Sequence, residues 1–136
     1  MLEQDRPLHG KCILIIEDNL VLLKSLAERF ASAGAAVLVA SEGASGLRQF
    51  RKQRPDLVIT DIIMPDKEGI ETISEIRALD SEIPVLAISG GGRVEAASFL
   101  DLAKRLGATD IMAKPFRSQD ILDRAKKLLD RPDVTP

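Results

Sequence analysis

Four stretches of this sequence hold side chains that could act together on a phosphoryl group: the acidic pair Glu17-Asp18, the single acid Asp61, Ser89 ahead of Gly90-Gly91-Gly92, and Lys114 followed by Pro115. Each follows an apolar run. Three carboxylates brought to one place repel one another and raise one another's pKa values. A hard divalent cation resolves that conflict. Magnesium takes oxygen ligands, keeps several waters, and is often held by one or two carboxylates plus a phosphate. A lysine adds a point charge for a phosphate oxygen, a serine hydroxyl bonds another, and the amides of a glycine turn ahead of a helix add donors. An aspartate carboxylate can itself be the nucleophile, giving an acyl phosphate, in a displacement that needs mainly positioning and charge stabilisation. Asp61 is the expected acceptor. Singly, these features are ordinary, since an acidic pair after a strand is usually a helix cap and Lys-Pro is usually a turn. Their coincidence at four separate run ends carries the reading.

The elements that would position them follow from periodicity. Five short, continuous apolar runs read as strands covered on both faces: residues 12–16, 35–40, 57–60, 85–88 and 109–113. Amphipathic segments lie between them. The first follows Asp18 and Asn19, both suited to N-caps, with Leu22, Leu26 and Phe30 on one face, and it stops at Gly34. The second runs from Ser41 to about Gln53 with Ala44, Leu47 and Phe50 inward. The third, from about Lys67 to Leu79, turns Ile70, Ile73 and Ile76 inward. The fourth spans about 94–106, and the fifth opens near Ser118 and ends near Leu129. Short links make neighbouring strands parallel with right-handed crossovers. The expected fold is α/β, a doubly wound five-stranded parallel sheet of (βα)5 type. In such a sheet the ligand crevice lies beyond the carboxyl ends of the strands, where all four stretches fall.

Composition narrows the alternatives. The 136 residues suit one domain; residues 1–10 read as a polar leader, 11–130 as the domain and 131–136 as a tail. The 45% hydrophobic content allows a core, and the 3% aromatic content makes it aliphatic. A formal charge of −2, from 19 basic against 21 acidic residues, argues against nucleic-acid binding through phosphate neutralisation. Cys12, the single cysteine, has no disulfide partner and reads as a small buried hydrophobe. His9 has no second histidine near it to share a metal. With neither a signal peptide nor an apolar run of about 18 residues, a cytoplasmic protein without membrane contact is expected.

The segments 13–18, 56–69, 84–90 and 107–116 together closely resemble the receiver domain of bacterial two-component response regulators, over roughly Lys11 to Leu129. The resemblance implies a flavodoxin-like, CheY-like fold with strand order 2-1-3-4-5. It implies Asp61 as phospho-acceptor; Glu17, Asp18 and Asp61 as Mg2+ carboxylates with the backbone carbonyl of Ile63 as a further ligand; Ser89 as switch hydroxyl; and Lys114 as the phosphate-contacting lysine. Pro115 is expected after a cis peptide bond, and Met64, Pro65 and Gly69 shape the loop after the acceptor. The donor would be a phosphohistidine on a sensor histidine kinase or histidine phosphotransfer protein, and the receiver would pass the signal to a protein target whose identity the sequence does not give. Such a protein is a phospho-acceptor switch rather than an enzyme, promoting its own phosphorylation and slow autodephosphorylation.

Three positions depart from the family pattern. Ile111, three before the lysine, stands where an aromatic is common. Ile63 and Gly91 flank the acceptor without a side chain able to orient an attacking water, so a relatively long-lived phosphoryl group is expected. The 25 positions from Ser89 to Lys114 exceed the commonest spacing, and the glycine run absorbs the excess. Rival functions fit less well. An aspartate-based phosphatase usually has a second acid two residues on, where this chain has Ile63, and no Gly-x-Gly-x-x-Gly or Gly-x4-Gly-Lys-Ser/Thr is present. A degenerate, binding-only receiver would lack part of the acid, hydroxyl and lysine set. Leu20, Leu23 and Ala27 are a candidate docking face for the donor. A single-domain regulator is the expected organisation; the alternative is a receiver module of a larger hybrid kinase or regulator.

Overall fold

The run Cys12–Ile16 forms the first strand, β1, and every one of its side chains is buried. Four more strands follow, β2 (Ala36–Ala40), β3 (Leu57–Asp61), β4 (Val85–Ser89) and β5 (Asp110–Ala113), with helices α1 (Leu20–Ser32), α2 (Gly43–Lys52), α3 (Glu68–Leu79) and α4 (Ser118–Leu129). The structure, a computed structural model, describes residues 6–62, 68–90 and 105–130. The helix expected over 94–106 lies almost wholly outside them. All neighbouring strands pair in parallel in the order β2-β1-β3-β4-β5, so the expected doubly wound topology is the one observed.

Alternation along the strands divides the core in two. Ile13 and Ile15 of β1, Leu57 and Ile59 of β3, and Leu86 and Ile88 of β4 meet Leu26 and Phe30 of α1 and Ile121 and Ala125 of α4. Leu14, Ile16, Val58, Val85 and Ala87 meet Leu47 and Phe50 of α2 and Ile73 and Ile76 of α3 on the other face. β2 is an edge strand and only partly covered, unlike the fully buried β1, β3 and β4. Among the described residues no helix is long and apolar enough to cross a membrane.

Several inward positions differ from the sequence reading. In α1 the buried stripe is Leu23, Leu26 and Phe30, with Leu22 only partly buried. Leu23 is therefore a core residue and no part of an exposed docking face. Leu20 and Val21 are the exposed apolar residues there, at 66% and 81%. In α2 Ala44 is exposed, while Gly43 and Gly46 join Leu47 and Phe50 inside. A Cβ at Gly46 would collide with the end of the Ile16 side chain, which would have to shift before any larger residue could stand there. Ile70 is 40% exposed, whereas Ile73 and Ile76 are fully buried, so the inward stripe of α3 does not extend to Ile70. Leu8, within the stretch read as a polar leader, is 2% exposed and packs into the α1 side of the core, its N–H donating to the Ala33 carbonyl at 2.9 Å.

At the amino end of the sheet, Arg77 ties three segments together. Its guanidinium donates to the carbonyls of Gly107 and Ile83, each at 2.6 Å, and to Thr109 Oγ1 at 3.2 Å. Thr109 Oγ1 accepts in turn from the Val85 N–H at 2.9 Å. Arg77→Ala strands partly buried carbonyls, and with charge-assisted bonds worth about 1.5–3 kcal/mol each before compensation by water, a net loss of about 2–3 kcal/mol is expected in urea denaturation. Nearby, burial pushes the Asp80 carboxyl up, but N–H bonds from Glu82 and Ile83 and the Arg54 guanidinium outweigh it and hold the pKa below the usual 3.8.

Candidate functional site

The carboxyl ends of β1, β3, β4 and β5 converge, and each delivers one of the expected groups. β1 runs directly into Glu17, whose N–H donates to Ala40 at 3.0 Å and so carries the β1–β2 ladder one residue further. That bond places the Glu17 side chain inside the sheet end, fully buried at 0% exposure. Asp18 follows at the exposed rim. Asp61 is the last residue of β3, paired in register with Ile88 and 2% exposed. Carboxylate oxygens of Glu17, Asp18 and Asp61 all lie within 4.8 Å of one another. Three hard oxygen donors at that spacing fit a divalent cation of the magnesium type, which resolves the repulsion between two buried acids and a third at the rim.

Lys114 supplies the positive charge. It follows β5, and its N–H donates to the Ser89 carbonyl at 2.8 Å, locking the ends of β4 and β5 together. Its Nζ reaches Asp61 Oδ2 at 2.9 Å and Glu17 Oε1 at 3.1 Å. Burial lowers the lysine pKa, and the bonds to Asp61 and Glu17 more than reverse that, leaving it above 10.5. Burial raises the Glu17 carboxyl above 4.5; the Asn19 N–H and Lys114 pull it down without cancelling the rise, and Asp61 and Asp18 push it up further. One ammonium thus serves two buried carboxylates.

Ser89, the last residue of β4, is 3% exposed and stands in register with Ala113, next to Lys114. The Lys114–Pro115 bond is cis, as the resemblance implies. Ile111 is 4% exposed and packs into the α2–α3 side of the core, so the side chain standing where an aromatic is common is an interior one. Ile63, Gly91 and Gly92 lie outside the described residues, and with them the expected carbonyl ligand and the positions flanking the acceptor. Cys12 is buried and His9 is exposed away from these strand ends.

One contributor escaped the sequence reading, and a second, Gly69, was expected there only to shape the loop after the acceptor. The backbone N–H of Asn19 donates to Glu17 Oε2 at 3.0 Å, a bond that no residue type announces. Gly69, in the first turn of α3, presses against the end of β3, where a Cβ would overlap the Asp61 carbonyl oxygen and the Ile62 Cα. Gly69→Ala must therefore push α3 or the Asp61 backbone aside. An overpacking cost of about 1–3 kcal/mol is expected, read as a lowered Tm.

The family model described as response regulator receiver domain matches residues 13–126. The transcriptional regulatory protein PrrA of Mycobacterium tuberculosis is 32% identical over 119 residues, which cover 88% of this chain and 50% of PrrA. The regulator of RpoS of Escherichia coli is 36% identical over 126 residues, covering 91% of this chain and 35% of that protein. The chain thus spans half or less of the length of these curated relatives. Among solved structures, a CheY-like response regulator receiver domain protein from Methanospirillum hungatei superposes with a TM-score of 0.77 at 26% identity, covering 88% of this chain and 94% of that one. A response regulator receiver domain protein from Clostridium thermocellum superposes with a TM-score of 0.77 at 29% identity, covering 89% and 95%. With a family match running from β1 almost to the end of α4, and with these neighbours sharing its fold, the chain belongs to the response regulator receiver domain family of two-component signalling.

Proposed function

We propose that Asp61 accepts a phosphoryl group from a phosphohistidine on a histidine kinase or histidine phosphotransfer protein, and that the resulting acyl phosphate switches the domain. A carboxylate oxygen of Asp61 forms the new O–P bond as the P–N bond to the donor imidazole breaks, and the electron pair leaves with the nitrogen. Glu17, Asp18 and Asp61 would hold Mg2+. What magnesium supplies when bound is neutralisation of the charge shared by these carboxylates and the phosphoryl oxygens. Lys114, already on Asp61 Oδ2, follows the charge onto a phosphoryl oxygen, and the Ser89 hydroxyl donates to another. The observation that carries this reading is the Lys114 ammonium bridging Asp61 and Glu17 beside a third carboxylate.

Switching follows as a population shift. The phosphoryl group favours whichever conformer brings Ser89 and Lys114 onto its oxygens, and a partner that binds that conformer reads the signal. With Ile111 interior and no tyrosine in the chain, the response runs through Ser89 and the β4 and β5 ends rather than through an aromatic rotamer.

Removing the metal tests the ligand set. With a phosphohistidine-bearing donor, excess EDTA should abolish acceptance and added Mg2+ should restore it. Acceptance at an unchanged rate in EDTA would remove the metal from the reading.

A further inference from the structure

Asn19 does two things at once. Its side-chain Oδ1 accepts from the Leu22 N–H at 3.1 Å and its carbonyl accepts from the Leu23 N–H at 2.9 Å, which makes it the N-cap of α1. Its own N–H points the other way, to Glu17 Oε2 at 3.0 Å. A side-chain-to-backbone bond across two residues closes the chain 17–19 into a tight turn with Asp18 at its apex. The start of α1 and both acids of the pair are thereby one rigid piece.

The consequence for Glu17 is specific. Of its two oxygens, Oε2 accepts a hydrogen bond from the Asn19 amide, while Oε1 faces the Lys114 ammonium as an ion pair at 3.1 Å without meeting hydrogen-bond geometry. A cation entering among Glu17, Asp18 and Asp61 competes with the Lys114 ammonium for the same carboxylates. It does not compete with the Asn19 amide, which belongs to the backbone. We propose that Asn19 is a positioning residue of the metal site: its N–H pins Glu17 Oε2, so that Oε1 alone passes from Lys114 to the cation or to a water on it, while the same turn presents Asp18. The helix cap is the anchor that keeps this N–H aimed. The inference rests on the metal site proposed above.

The test is Mg2+ affinity of the unphosphorylated protein by titration calorimetry, with melting curves alongside. Wild type must first bind Mg2+; absence of binding overturns the metal site and this inference together. Asn19→Pro removes the N–H while suiting the native φ of −76°, and Asn19→Ser retains both the N–H and a capping oxygen. Orienting partners of metal ligands typically contribute about 10–100-fold to affinity, so Asn19→Pro should weaken Mg2+ binding by about tenfold or more and Asn19→Ser should leave it near wild type. In a Glu17→Ala background, Asn19→Pro should cause no further loss, because the amide then has no carboxylate to orient. If Asn19 acts only as a cap, Asn19→Pro lowers Tm but binds Mg2+ within about twofold of wild type, and the proposal fails while the metal site stands. Should Asn19→Pro not fold, Asn19→Ala carries the test. Measured well below its Tm, it must bind Mg2+ severalfold more weakly than Asn19→Ser, and equal affinities overturn the proposal.

Discussion

Lys114→Ala should slow phosphoryl acceptance by about 10²-fold, the scale on which loss of a single preorganised charge-stabilising donor is felt. Measured with a phosphohistidine donor at saturating Mg2+, the loss should appear in the transfer rate rather than in Mg2+ affinity, since the ammonium opposes a cation at the carboxylates and favours only the incoming phosphoryl group. The same substitution costs stability. Glu17 and Asp61 are buried and share this one ammonium at 3.1 and 2.9 Å. Breaking buried pairs costs about 3–5 kcal/mol, and the 27% exposure of the Lys114 side chain reduces the expectation to about 2 kcal/mol. The pH dependence fixes the sign. Glu17 already has a folded pKa above 4.5, so its carboxyl favours the folded state below that value and the benefit is lost as pH rises through the folded pKa. Without Lys114 that pKa climbs further. The Tm deficit of Lys114→Ala should therefore be largest near neutral pH and narrow as pH falls towards 4.5.

Asp61→Asn should abolish acceptance outright while leaving the fold intact. The amide is nearly isosteric with the carboxylate but lacks the anionic oxygen that attacks phosphorus. Structurally the change is mild, because Lys114 keeps its pair with Glu17 and one of three like charges in the crevice disappears. The variant should melt at or above the wild-type temperature in the absence of metal, and it should bind Mg2+ more weakly because one of three carboxylates is gone. A structural role for Asp61 alone predicts the reverse pattern, with lost stability and unchanged labelling.

Much of this was legible in the chain because strand ends in a parallel sheet are announced by sharp changes of residue type. Strand limits read from the apolar runs lie within one residue of those observed, and Glu17, Asp18, Asp61 and Lys114 come together because all four stand at the carboxyl ends of parallel strands. Helix faces were harder. A stripe at 3.6-residue spacing is wide enough to admit either Leu22 or Leu23, and only the position of β1 and β2 beneath α1 decides for Leu23. Gly46 faces the Ile16 side chain and Gly69 the backbone at the end of β3, and a glycine does not announce whether it serves a turn or a contact. Arg77 sits in the last turn of a helix, where a cation is ordinarily solvated, and its acceptors lie in two loops, one just after α3 and one about thirty residues on in the sequence. The Asn19 amide carries no side-chain signature at all.

Intact-protein mass spectrometry after incubation with a phosphohistidine donor and Mg2+ tests Asp61 as the acceptor most directly. Wild type should gain the mass of one phosphoryl group, and peptide mapping should place it on Asp61. Asp61→Asn should gain none under the same conditions. A phosphoryl group on the Asp61→Asn protein, or on any residue other than Asp61 in the wild type, would show that Asp61 is not the acceptor.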